Sequence, residues 1–275
     1  MIGNYWKAAL AHASGNRLFA TINTAGLAIG VATSVLMFVI VRAELTHNDF
    51  IPDYRNTYLA VTAVIPPGHP TDYKLQSNHR VAGLLKARFG EITAVTRLSL
   101  QAIPVRSGDV LTKQESVYWA DPNVFEILDL PTLHGGLQQA LSRPDGVVLT
   151  RGMAIKYFNE ENVVGRRIEI GGQPMTVNAV IRDLPAYRTE LETGIFASGL
   201  AAHSELARMD TTPSDGGGFT VTSLTYFRLA PGASTARIET DAFAVMDAIW
   251  TARPPSMKWR PGTNIWTNNS MVALP

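Results

Sequence analysis

From Leu18 to Val41 the chain runs for 24 residues without a charge. A helix of that length spans about 36 Å at roughly 1.5 Å per residue, and the hydrocarbon core of a bilayer is about 30 Å thick. Uncharged apolar runs this long read as membrane spans rather than as core helices of soluble folds. The apolar region of a cleaved signal peptide is ~7–15 residues and ends at a small-x-small site. Here the run is longer and ends in Val39-Ile40-Val41. The expectation is an uncleaved anchor over residues 18–41. No second stretch comes close, since Val221–Leu229 and Phe243–Trp250 are too short.

One span in 275 residues leaves most of the chain outside the bilayer, and the mean hydropathy of +0.04 agrees. Hydrophobic residues at 46% exclude a disordered chain, which needs low hydrophobicity and high net charge. A net charge of +1 leaves no basic field for nucleic acid. Cysteine is absent, which excludes disulfide scaffolds, thiolate metal sites and cysteine nucleophiles.

Flanking charge sets the expected orientation. Residues 1–17 carry Lys7 and Arg17 and no acid, whereas Glu44, Asp49 and Asp53 follow the span. Basic residues stay on the cytoplasmic side, so the N-terminus is expected in the cytoplasm and the main domain outside it, which in a bacterium means the inner (cytoplasmic) membrane with the domain in the periplasm or at the outer surface. Tyr5, Ala8, Ala9 and His12 share a side at helical spacing, which suits an interfacial helix over residues 1–17. Inside the span, Gly26 and Gly30 form a small-xxx-small pair that lets another helix approach closely, and Asn23 can hydrogen-bond across such an interface. Ala25, Ala28 and Ala32 add small surface, and Thr24 and Ser34 add hydroxyls. Asn23, Gly26 and Gly30 are therefore the candidate helix-packing residues.

Beyond the span the fold class reads as α+β. Thr57–Ile65 is rich in β-branched and aromatic residues and stops at Pro66-Pro67-Gly68; Ser77–Phe89 has helical spacing; Ile92–Leu100 returns as a strand. Val221–Leu229 and an amphipathic Thr235–Trp250 form a second such unit, so the two can pair in a ferredoxin-like way. Between them come short strands at Val105–Leu111, Ser116–Ala120, Val147–Thr150, Arg166–Ile170 and Met175–Ile181. Short helices are expected at Asn123–Leu128 and Arg151–Phe158, and Gly171-Gly172 sits in a hairpin position. Residues 186–218 read as loop, and the last 20 show no regular period. Asp121-Pro122 reads as a helix start with Asp121 as the cap.

Motifs for catalysis are missing. The six histidines, His12, His47, His69, His79, His134 and His203, show no i, i+4 metal spacing. There is no Gly-x-Ser-x-Gly and no Gly-x-x-x-x-Gly-Lys-Ser/Thr, so no nucleophile elbow and no ATP loop. Gly216-Gly217-Gly218 lacks the lysine and helix that a phosphate loop needs. No catalytic, cofactor or metal residue is named.

Several phrases together resemble MacB-like ABC transporter permeases of the FtsX superfamily. They are Asn4-Tyr5-Trp6-Lys7-Ala8-Ala9, then Ile22-Asn23-Thr24-Ala25-Gly26-Leu27-Ala28-Ile29-Gly30, then Glu44-Leu45 with Asp49-Phe50. Ala120-Asp121-Pro122-Asn123-Val124-Phe125-Glu126-Ile127, Val147-Val148-Leu149-Thr150, Ala154 with Lys156-Tyr157-Phe158, Gly165, and Val177–Leu184 follow in the family's order. The resemblance implies a periplasmic core of porter-like β-α-β units with an inserted sabre-like part. The implied division is 1–17 N-terminal, 18–41 span, 42–55 stalk, 56–101 porter-like, 102–218 sabre-like, 219–253 porter-like and 254–275 irregular return. It also implies a cytoplasmic ATPase on another subunit, and a homodimer or partner permease meeting the span. Conformational change would pass between ATPase and periplasm. A full permease carries further spans, so a truncated permease, a split-gene half or a one-span relative are all expected forms. The alternative is an anchored ligand-binding or sensor module without an ATPase.

Overall fold

The protein is described here by a computed structural model that covers residues 15, 17–45, 51, 56–64, 72–108, 113–185, 189–211, 222–233, 235, 237, 238, 241 and 261–267. It divides into two compact units, 1–46 and 47–275. The first holds α1, Arg17–Leu45, a helix of 29 residues. Its apolar stretch, Arg17–Ala43, is long enough to cross a membrane, and none of its most apolar window is buried against protein.

The second unit is strand-rich. Its strands are β1 (Thr57–Val64), β2 (Asp72–Lys74), β3 (Ile92–Arg106), β4 (Lys113–Ala120), β5 (Thr132–Gly135) and β6 (Gly146–Thr150). β7 (Arg167–Ile170), β8 (Gln173–Ile181), β9 (Ile195–Ser198), β10 (Ser223–Leu229) and β11 (Pro261–Thr267) complete them. The helices described among these residues include α2 (Val81–Arg88), α3 (Val124–Leu128), α4 (Arg151–Phe158) and α5 (Glu205–Thr211). All strands join one sheet in the order β11-β1-β10-β3-β4-β9-β6-β8-β5, with β2 on β1 and β7 joining both β3 and β8.

That last link closes a ring. β3 pairs β4, β4 pairs β9, β9 pairs β6, β6 pairs β8, β8 pairs β7, and β7 returns to β3 at Val105↔Ile170. Because side chains alternate along a strand, one face of all six points inward. Val105, Val117, Trp119, Val147, Leu149, Ile168, Met175, Val177, Ile195 and Ala197 form that interior, and Ala154 and Tyr157 of α4 add to it. The opposite face packs Leu98, Tyr118, Ala120, Val148 and Phe196 against Val124, Phe125, Ile127 and Leu128 of α3. α2 buries Val81 and Leu85 on a third cluster with Tyr58, Ala60, Phe227 and Leu229.

β3 is the shared element. Its first half pairs with β10, Leu98–Val105 pairs with β4, and Val105–Arg106 pairs with β7. It therefore runs unbroken through residue 101 into the ring.

Several local expectations meet the structure directly. Gly171 and Gly172, at φ +61° and +77°, turn β7 into β8. Both central residues of such a turn need positive φ, which glycine adopts freely. α4 starts where its caps begin: Thr150 Oγ1 accepts from Met153 N, and Asp183 Oδ1 accepts from Gly152 N at 2.7 Å. Asn159, at φ 57°, ends it.

Other readings are corrected. Residues 186–218 are not all loop, since β9 and α5 lie within them; β9 is buried on both faces and so shows no alternation, and α5 buries only Leu206 and Met209. The C-terminal residues include β11, whose backbone pairs with the whole length of β1 beyond Thr57. Asp121 does not cap α3 with its side chain; its carbonyl accepts from Val124 N while its carboxylate turns to Arg97. α2 starts at Val81 and not at Ser77, which bridges to Ser223, while Asn78 leads into the helix, its Oδ1 accepting from Arg80 N at 3.1 Å and its carbonyl from Val81 N. The expected helix over Thr235–Trp250 and the expected N-terminal interfacial helix fall almost wholly outside the described residues.

Candidate functional site

The candidate packing residues lie on α1. At about 100° per residue, Asn23, Gly26 and Gly30 fall within ~60° of one another. A Cβ built on Gly26 or Gly30 meets nothing within 4 Å, so the notch stands open on the helix surface. Thr33 and Ser34 flank the same strip, with hydroxyls that donate to the helix's own carbonyls, Ile29 O at 2.8 Å and Gly30 O at 2.9 Å. Ala28 and Ala32 emerge on the opposite side of the helix and do not extend this surface.

In the strand-rich unit, charge concentrates at one arginine. Arg97 of β3 sends its Nε to Asp121 Oδ2 at 3.0 Å and its Nη2 to Asp121 Oδ1 at 2.9 Å. The same guanidinium reaches Asp210 of α5, Nη1 to Oδ1 at 2.7 Å and Nη2 to Oδ2 at 3.0 Å, and the His79 carbonyl at 3.4 Å. Arg97 N donates to Asp121 Oδ2 at 2.8 Å, and Asp121 N donates to Arg97 O at 3.0 Å. A planar guanidinium suits this two-sided, bidentate recognition. Burial alone would lower the arginine's pKa, but hydrogen bonds with Asp210 and Asp121 outweigh it and hold the cation firmly charged. The hydrogen bond from Arg97 in turn holds Asp210 below the usual carboxylate range, against the opposing effect of partial burial.

Beside this cluster lies a cleft of 520 Å³ lined by His79, Arg80, Gly83, Lys86, Met209 and Asp210 among others. His79 is held below its ordinary value by burial first, then by Arg80 and Arg97, with Asp210 opposing. Its Nδ1 is buried without a hydrogen-bond partner.

A second cleft, of 410 Å³, has Leu98, Leu224 and Tyr118 at its floor and Glu190, Glu192 and Glu205 around it. Tyr226 donates a short hydrogen bond to Glu190, and Tyr118 accepts from Glu192 N at 3.1 Å. Burial pushes the Tyr118 hydroxyl up to about 12, so it stays protonated and serves as a tether for residues 190–192. Glu205 is engaged by Arg208 one turn on.

Among the described residues no group of three His, Cys, Asp or Glu is placed to hold a metal. His134 lies on β5, and His203 packs edge-on against the Trp119 ring at 5.1 Å; the two do not converge with His79 on one site. Arg97 is the residue that reading the sequence did not single out. An isolated arginine in a strand carries no signal by itself; only the pairing of β3 with β4 and the seat of α5 bring two carboxylates to it.

A family model for the MacB-like periplasmic core domain matches residues 20–242. The chain belongs to this family. Among solved structures, this MacB-like chain is similar to a domain of a proposed permease protein from Porphyromonas gingivalis. The TM-score is 0.60 at 14% identity, over 79% of this chain and 91% of that one. It is also similar to the periplasmic region of MacB from Actinobacillus actinomycetemcomitans, with TM-score 0.53 at 14% identity, over 80% and 92% of the two chains. At such identities the likeness shows the fold. No curated protein matches the sequence. The MacB-like architecture here is thus one N-terminal candidate membrane helix followed by a mixed α+β, strand-rich domain, and the family is a component of transporter permeases.

Proposed function

We propose that this chain is the first membrane span and extracytoplasmic core of an ABC transporter permease, and that it transmits conformational change between a cytoplasmic ATPase and the periplasm. One observation carries this reading. The family match starts at residue 20, inside the uncharged helix, and continues to residue 242. The match thus takes in most of the span together with the domain, which suits a part whose work depends on being joined to the membrane.

The direction of β11 supports it. That strand runs antiparallel to β1, with Thr267 opposite Tyr58, so it ends beside the start of β1, the first strand to follow the apolar helix in the chain. Asn23, Gly26 and Gly30 serve in this reading as the face that meets a second copy or a partner permease helix. The N-terminus is cytoplasmic, at the bacterial inner membrane, and the domain is periplasmic. Residues 56–101 and 219–253 act as the porter-like part and 102–218 as the sabre-like part. The chain itself catalyses no reaction; the energy comes from the ATPase.

The test is co-purification. Solubilised from membranes of cells that also express an ATPase of the matching family, the chain brings that ATPase with it. Recovery of the chain alone under those conditions overturns the reading.

A further inference from the structure

We propose that the Arg97–Asp210 pair is the releasable half of a latch that holds α5 against the sheet, with Arg97–Asp121 as its fixed anchor. This deepens the transmitting role above by naming a place where the domain can move, and it rests on that role for its purpose.

The two halves are unequal. Asp121 follows β4 directly, and reciprocal backbone and side-chain bonds tie it to Arg97 at the β3–β4 pairing. Its side chain is 21% exposed. Asp210 is 48% exposed and sits in the last turn of a seven-residue helix. A carboxylate at a helix C-terminus faces the negative end of the helix dipole. The Arg97 guanidinium is the positive charge that offsets this, so α5 keeps its final turn while the pair is made. Otherwise α5 rests on the fold through Leu206 and Met209, both buried, through the Thr222 hydroxyl that donates to Met209 Sδ at 3.3 Å, and through the Ser204 hydroxyl that caps Ala207 N at 3.0 Å. That cap secures the start of the helix, and the bidentate pair is the charged hold on its end. Met209 and Asp210 also form one wall of the 520 Å³ cleft whose other side carries His79, Arg80 and Gly83. Parting Asp210 from Arg97 therefore lifts the wall that covers this cleft and exposes Met209, while Arg97 keeps its bonds to Asp121.

The experiment uses the full chain in lipid nanodiscs and reads amide hydrogen exchange together with peroxide oxidation of Met209. Met175, buried in the ring, is the internal control. Asp210→Asn keeps the shape and removes the charge. It is expected to speed exchange across residues 205–211 and oxidation of Met209 by about tenfold, the scale of a lost charged hydrogen bond in a half-exposed pair. β3, β4 and Met175 stay as in the wild type. Raising salt to ~1 M, which screens exposed pairs, moves the wild type in the same direction. Unchanged exchange in α5 overturns the proposal. So does an equal rise across α5, β3 and β4, which makes Asp210 general structural support instead of a latch. Neither outcome depends on whether an ATPase co-purifies.

Discussion

Trp119 shows how one side chain is held by the ring. It is fully buried, its indole Nε1 donates to Gln101 Oε1 at 2.6 Å, and its ring meets His203 edge-on. Trp119→Ala removes the largest side chain of that interior and leaves Gln101 without its donor. A loss of about 3–5 kcal/mol is expected, read as a lower denaturation midpoint of the domain in urea. His79 gives a pH dependence. Its folded pKa lies below 6.5 because of burial and of Arg80 and Arg97, with Asp210 opposing. The unfolded chain therefore binds the proton more readily. Stability is undiminished above 6.5 and falls as pH drops from 6.5 through the lowered folded value. His79→Gln should flatten this part of the stability profile; a profile identical to the wild type between pH 7.5 and 5 would refute the assignment. The two sites differ in legibility. Trp119 lies in an expected strand, Ser116–Ala120, while the environment of His79 depends on Asp210, more than a hundred residues away.

Among the elements, the β7–β8 hairpin and α4 were readable because their signals are local. Two glycines with positive φ make the turn, and Thr150 begins the helix. α5 and β9 were not, because β9 is buried on both faces and shows no alternation, and α5 buries only Leu206 and Met209, too narrow an apolar stripe to stand out. Gly135 tests the strand register. At φ +82°, its added Cβ would lie 2.2 Å from the Asn178 carbonyl oxygen and 2.9 Å from the Ala179 Cα. Gly135→Ala must therefore displace backbone where β5 pairs with β8, and it should reduce the amide protection of Thr132–Gly135 by at least about tenfold. For α1, the open strip of Asn23, Gly26 and Gly30 predicts that Gly26→Leu or Gly30→Leu weakens helix association but not insertion, because leucine blocks close approach and favours the bilayer. Cross-linking yield in membranes should drop severalfold at equal membrane content. Unchanged cross-linking would remove the packing role.

For the whole molecule, the proposed orientation can be read from outside the cell. The chain has no cysteine, so a single one introduced at exposed Leu200 reports its own accessibility. A membrane-impermeant maleimide should label Leu200→Cys in cells with a permeabilised outer membrane and leave Ser14→Cys unlabelled until the inner membrane is opened. The reverse pattern would invert the topology. β3 pairs with β10 on one stretch and with β4 and β7 on the next, so the proposed porter-like and sabre-like parts would share it. Under the proposed transmitting role, that common strand is the route by which displacement at one end of the domain would reach the other.

By itself the amino-acid sequence determined the apolar helix, the α+β class, most strand and helix positions and the family. The helix, the class and the element positions depend on length, charge or period within a short window, and the family on its resemblance in a series of short motifs met in order; these local signals survive without knowledge of contacts. Only the tertiary structure decided the closure of the ring, the return of β11 to β1 and the gathering of Asp121 and Asp210 on Arg97. The Val105↔Ile170 pairing joins residues 65 positions apart, and Arg97 and Asp210 are 113 apart. Which partners meet over such separations is settled by burying apolar faces and satisfying backbone groups across the whole domain, and no local pattern encodes it.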